Sequence, residues 1–102
     1  MTFTLADVNN IEFDGEVNEV EYYESIQRAI NAGAWSFQGS YGRAMMDAIN
    51  AGKCLLGLKP AKDYWGNVIP SRLQVKDYTK GSWDYVKEHN GLVWANKMAG
   101  VK

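Results

Sequence analysis

The chain has 102 residues, a formal net charge of −1 and a pI near 5.7, with 46 % apolar, 23 % charged and 13 % aromatic residues. These figures exclude a second domain of ordinary size, a disordered chain, a collagen-like chain and a disulfide scaffold. They predict one small soluble domain over residues 1–102, which buries roughly 60–70 % of its unfolded surface without a metal or disulfide staple.

Thr4 with Asp7 can cap a short turn over Leu5 to Asn9. Ile11-Glu12-Phe13 then alternates ahead of the tight-turn dipeptide Asp14-Gly15, which predicts a very short hairpin. Asn18 followed three residues later by Glu21 is capping-box chemistry. Glu19, Glu21 and Glu24 suit the start of a helix and Arg28 its end. With Val20, Tyr23, Ile26 or Gln27, and Ile30 at helical spacing, a helix is predicted over 19–32. A second helix over 41–51 takes Ser40 as its N-cap and Ala44, Met45, Ala48 and Ile49 as its apolar stripe.

The pentapeptide AINAG occurs at Ala29 to Gly33 and again at Ala48 to Gly52. Two copies do not make a solenoid. Both read as helix ends: Ala and Ile face inward, then Gly stands where the chain needs a positive φ. Beyond Gly52 the period changes. The apolar run Lys53 to Leu58 predicts a strand, and Pro60 to Asn67 a loop. Val68 to Lys76 predicts a second strand, pushed to a sheet edge or delayed to Ser71 by Pro70. Ser82 caps a short helix with Trp83 and Val86 inward, ending near Asn90-Gly91, and Leu92 to Lys102 reads equally as helix or strand. The fold class is α+β: two N-terminal helices, a small antiparallel sheet and a short C-terminal helix.

Little catalytic equipment is present. A metal centre needs clustered His, Cys and carboxylates, and the chain has one Cys and one His, so no metal and no other cofactor is expected. Cys54 lies in the apolar run and reads as a buried thiol; a reactive one needs a base or cation, and Lys53 is its sequence neighbour. His89 falls near a helix end, where an imidazolium suits the dipole. No GxSxG elbow exists for any serine, and nothing points to a buried carboxylate with a raised pKa. Gly39, Ser40, Gly42 and Arg43 could form an anion pocket at a helix start, and an enzyme acting there on a small anionic substrate is the third reading of the chain. The same letters serve a helix N-terminus, and the GxxxxGK[ST] pattern is missing. A helix-turn-helix is rejected, because the linker from Ala34 to Gly39 is long and the helix before it is acidic.

The charge is unevenly placed. Residues 1–47 carry eight acidic and two basic side chains, residues 48–102 four acidic and nine basic, and six of the acids lie between Glu12 and Glu24. The two halves could simply attract one another within the fold. The sharper reading is a docking face of Glu12, Asp14, Glu16, Glu19, Glu21 and Glu24, with Tyr22 and Tyr23 as its apolar anchor, for a protein partner with a basic surface. Such a protein works by steric occlusion, in the manner of small phage or mobile-element inhibitors of host nucleic-acid-processing or defence proteins, or of subunit adaptors; no residue motif carries that analogy. The alternative is a nucleic-acid-binding module on Lys59, Lys62, Tyr64, Trp65 and Arg72, extended by Lys76, Tyr78 and Lys80 and interrupted by Asp63 and Asp77. Trp35, Phe37, Trp83 and Trp94 are expected in the core, Tyr22, Tyr41, Tyr64 and Tyr85 at its rim, and Tyr64 and Trp65 exposed on their loop. Exposed tyrosines could also support a homodimer. No apolar run reaches membrane-spanning length, and MTFTLADVNN has neither a basic stretch nor an apolar centre, so a cytoplasmic protein without a secretory signal is expected.

Overall fold

The computed structural model describes residues 18–36, 40–63 and 65–101; the expected turn over Leu5 to Asn9 and the Ile11–Phe13 hairpin lie outside them. Helix α1 spans Glu19–Asn31. Asn18 caps it as expected: its side-chain oxygen accepts from the Glu21 amide at 2.8 Å, and its Nδ2 donates to Glu21 Oε1 at 3.3 Å. Ile26, Ala29 and Ile30 form its buried stripe, together with Ser25 and Gln27. A 3-10 turn, Ala34–Ser36, buries Trp35 and leads to α2, Ser40–Asn50. That helix begins at Ser40 itself rather than after it. Both AINAG copies end as read: Ala29 and Ile30, then Ala48 and Ile49, are buried, and Gly33 and Gly52 take φ of 74° and 73°.

The chain then departs from the expected strand over 53–58. Cys54, Leu55 and Leu56 run buried through the centre of the molecule, but among the described residues no neighbouring strand pairs with them. Their backbone groups are satisfied one at a time. Leu55 exchanges two hydrogen bonds with the Gln27 side chain, the Leu56 amide donates to Gly81 O at 3.0 Å, and the Leu56 carbonyl accepts from Arg72 Nε at 2.7 Å. Polar satisfaction, rather than strand geometry as such, is what burial demands, and here it comes from side chains and a turn.

The sheet lies further along and is shorter than expected. Strands β1, Ala61–Lys62, and β2, Val68–Ile69, pair antiparallel with Ala61 opposite Ile69 and Lys62 opposite Val68. The first strand falls in the expected loop. Pro70, lacking an N–H, closes the second, and residues 71–81 form successive turns where the sequence predicts strand to Lys76. Ser82 caps α3, Trp83–Asn90, by accepting from the Tyr85 amide at 3.2 Å. Gly91, at φ 94°, turns the chain into α4, Leu92–Ala99, so the tail is helical. Helix α4 is held to the body by Trp94, whose Nε1 donates to Lys53 O at 2.8 Å; beyond the helix, Asn31 Nδ2 donates to Val101 O at 2.9 Å.

The protein is thus an α+β fold with four α-helices and one two-stranded antiparallel sheet among the described residues. Ile26, Ile30, Met45, Leu55, Val86 and Met98, drawn from every helix and the central segment, fill one core. Trp83 and Trp94 pack on its edge, half-buried. Among the described residues no helix is long and apolar enough to cross a membrane.

Candidate interaction surface

Of the acidic segment, Glu12, Asp14 and Glu16 lie outside the described residues. The other three acids sit on α1, but at about 100° per residue they do not share a side. Glu21 and Glu24 project together, with Arg28 one turn later, while Glu19 stands roughly 140–160° away from both. Glu19 is reached by a cation from the basic half: Lys53 Nζ lies 3.4 Å from Glu19 Oε2, 4.8 Å from the Trp94 ring centre and 5.7 Å from that of Tyr23. Tyr23 meets Trp94 edge-on at 6.0 Å, and Tyr22 meets Tyr23 at 5.0 Å. Both tyrosines are half-buried against the core rather than projecting as anchors. Glu19 and Glu21 therefore have work inside the fold, one as Lys53's counter-ion and one at the helix cap.

The reactive side chains are likewise occupied. Cys54 is fully buried and its Sγ–H donates to Tyr23 O at 3.4 Å. Burial pushes the thiol far above its ordinary range, and the Lys53 charge offsets this little. His89 Nδ1 lies 2.9 Å from Tyr85 O and its ring stacks on Tyr85 at 4.1 Å, while the Tyr85 hydroxyl donates to Asn50 O at 2.8 Å, tying α3 to α2. Among the described residues no group of three His, Cys, Asp or Glu is placed to hold a metal. Of the glycine-serine motif, Gly39 lies outside the described residues, and Gly42 and Arg43 stand in the first turn of α2 with Arg43 exposed.

The basic-aromatic segment is divided by the fold. Arg72 turns inward: besides its bond to Leu56 O, its terminal nitrogen donates to Asn31 Oδ1 at 3.2 Å. It clasps the central segment to α1, and burial lowers its pKa from the ordinary value. Tyr64 lies outside the described residues. Lys59 and Lys62 are exposed, and Trp65 is 81 % exposed at the tip of the β1–β2 hairpin.

That tip is built by Asp63. Its Oδ1 accepts from the amides of Trp65 at 2.9 Å and Asn67 at 2.8 Å, and its Oδ2 accepts from Asn67 Nδ2 at 3.2 Å. Gly66, at φ 85°, closes the turn through its amide on Asp63 O at 3.1 Å. Desolvation raises the Asp63 pKa, but the hydrogen bonds from Asn67, Trp65 and Gly66 outweigh it and hold the carboxyl below its ordinary value. The carboxylate is therefore engaged within the turn, and the lysines keep the basic character of the segment.

Of eight large hydrophobic side chains exposed among the described residues, five lie between Leu58 and Tyr78: Leu58, Trp65, Val68, Leu73 and Tyr78. Val68 and Lys62 form the outward cross-strand pair, opposite the inward pair Ala61 and Ile69. Lys76 and Lys80 are exposed in the turns that follow, with Asp77. The sequence points to exposure of Trp65 and, in the basic-aromatic segment, of Tyr78, but not of Leu58, Val68 or Leu73, because it assigns Leu58 to the apolar run Lys53–Leu58 and the other two to a strand over 68–76. The turn-forming letters between Pro70 and Gly81 are the signal that argues against that strand. Comparison of the chain with protein-family models, with curated proteins and with solved structures finds no match.

Proposed function

We propose that this protein is a non-catalytic binding domain that acts by covering a surface of a protein partner, and that segment 58–78 is the face it uses. The observation that carries the reading is Trp65: a large aromatic side chain, 81 % exposed, on a tip held by its own hydrogen bonds. Tryptophan and tyrosine are the residue types that dominate interface energetics, and a preorganised tip loses little entropy on docking. The exposed Leu58, Val68 and Leu73 favour a protein over a nucleic acid, because aliphatic side chains do not stack on bases. Arg72, the segment's one guanidinium for bidentate phosphate recognition, is turned inward. The surrounding lysines specify an apolar depression with an acidic rim on the partner. Steric occlusion of a cytoplasmic host enzyme, the mode expected from the chain's size and composition, is the action this reading carries. The Cys54 thiolate, disfavoured by burial, and the structural engagement of His89 support a role without catalysis.

Affinity capture from an extract of the native host tests the reading. Wild type, Trp65→Ala, Val93→Ala and a Glu21→Lys/Glu24→Lys double variant serve as baits. The expected result is a species retained by wild type, by Val93→Ala and by the double variant, and lost by Trp65→Ala with no fall in melting temperature. Loss in the double variant alone would return the function to the acidic side of α1. Salt-sensitive binding of a fluorescent single-stranded oligonucleotide through Trp65 would replace the protein partner with a nucleic acid. Concentration-dependent self-association lost in Trp65→Ala would assign the face to a second copy of the chain.

A further inference from the structure

Among the described residues, Tyr78 is the one non-glycine residue with a positive φ, at 67°. The Thr79 amide donates to Lys76 O at 3.2 Å, which makes Lys76-Asp77-Tyr78-Thr79 a turn with Tyr78 third. Asp77 keeps an ordinary negative φ, so the third position is the slot that takes Gly or Asn in this turn type. An L side chain there is sterically strained. Further hydrogen bonds hold the chain on the C-terminal side of this turn. The Thr79 hydroxyl also donates to Lys76 O, the Ser82 amide donates to Thr79 O at 3.0 Å, and the next glycine, Gly81, is locked under Leu56 with φ 90°. A Cβ on Gly81 would fall 2.5 Å from Leu56 Cγ, so the chain is held close against the core just after this turn.

Tyrosine returns nothing visible to the fold for this cost, since its side chain is 65 % exposed and belongs to neither the core nor its packed margin. Strained conformations held by an over-determined surround are found at ligand clamps and binding sites. We infer that Tyr78 is a second, preorganised anchor for the acidic-rimmed protein partner, aimed outward by a turn that a glycine or asparagine would form more easily. The inference rests on the reading of segment 58–78 as the docking face and adds the residue that accompanies Trp65. Lys76 and Lys80 flank the ring within two residues, matching the acidic rim assigned to the partner; Asp77 is the one opposing charge among these immediate neighbours.

The test separates strain from contact. Tyr78→Asn and Tyr78→Gly release the backbone, and Tyr78→Phe keeps both the ring and the strain. Asn is the cleaner variant, because Gly also loosens the unfolded chain. The melting temperature of Tyr78→Asn is expected to rise by about 3 °C or more, with Tyr78→Phe unchanged. The same host extract is the probe, read on the species that wild type retains and Trp65→Ala loses. Its capture is expected to fall at least about tenfold with Tyr78→Asn and to survive with Tyr78→Phe. An unchanged or lower melting temperature for Tyr78→Asn, or capture equal to wild type, overturns the inference while leaving Trp65 and the docking face in place. Absence of any species sensitive to Trp65→Ala overturns both.

Discussion

The side chain of Gln27 pairs with the backbone of Leu55 as a neighbouring strand would. Its Nε2 donates to Leu55 O at 2.9 Å and its Oε1 accepts from the Leu55 amide at 2.8 Å, with all of these groups buried. One helix residue thereby satisfies both polar groups of the central segment's middle residue, and Nε2 also reaches Asn31 Oδ1 at 3.0 Å. Gln27→Ala leaves an amide and a carbonyl buried without partners, each worth about 1–3 kcal/mol, so urea unfolding should show a loss of at least about 2 kcal/mol. Gln27→Glu keeps the acceptor but sets a carboxylate oxygen against two acceptors. Burial and those oxygens raise the variant's folded-state pKa above the unfolded value of about 4.3. Its stability is thus greatest below that pH and falls as pH rises.

The two AINAG glycines should respond unequally to alanine. Both need a left-handed backbone, which costs about 1–2 kcal/mol with a side chain present. At Gly33 the new Cβ meets only Ala61 Cβ, at an ordinary 3.8 Å. At Gly52 it falls 2.7 Å from His89 Cβ, in the joint where Tyr85 and Asn90 bind the end of α2. Equilibrium unfolding should therefore place Gly52→Ala at least about 1 kcal/mol below Gly33→Ala.

Cys54 should make the protein less stable in alkali. Its folded-state pKa is raised by burial, so the folded thiol stays neutral while the unfolded one ionises from about pH 8.5 upward. The unfolded state then binds fewer protons, and stability falls by about 1.4 kcal/mol per pH unit as pH rises beyond that point. The difference in unfolding free energy between wild type and Cys54→Ala should be constant from pH 6 to 8 and narrow above it. In the native state the thiol should resist alkylation at pH 8 and react only through unfolding.

Lys53 should stabilise more through Trp94 than through Glu19. The ion pair is partly exposed, with side-chain exposures of 23 % for Lys53 and 62 % for Glu19, which places it at about 0.5 kcal/mol or less. Lys53→Ala should cost about 1–2 kcal/mol, since its stem and charge also cover the Trp94 and Tyr23 rings. A double-mutant cycle with Glu19→Gln should recover only the small ion-pair share, and added salt should remove that share.

What was legible in the amino-acid order was local. Asn18 with Glu21, Ser82 ahead of Trp83 and the two AINAG ends all settle their hydrogen bonds or backbone torsions within a few residues, so their letters suffice. The exposure of Trp65 belongs with them, because Asp63, Gly66 and Asn67 build its tip. The burial of Cys54-Leu55-Leu56 was legible from hydrophobicity as well. Its form was not, because an apolar run states that backbone groups will be buried and leaves open what will bond to them.

Those bonds come from Gln27, Arg72 and Gly81, which lie 28, 16 and 25 residues from the groups they satisfy. The same long reach draws Arg72 away from the basic face and sends Lys53 to Glu19, 34 residues distant. Amino-acid order determined the α+β content, the helix ends and the hairpin tip, since short-range sterics and capping act along the chain. Folding in three dimensions decided that Arg72 serves the Leu56 carbonyl and Lys53 the Glu19 carboxylate, since Coulombic and hydrogen-bonding partners are chosen by distance through space, and turns in place of the expected strand left Leu73 exposed in the segment that carries Trp65.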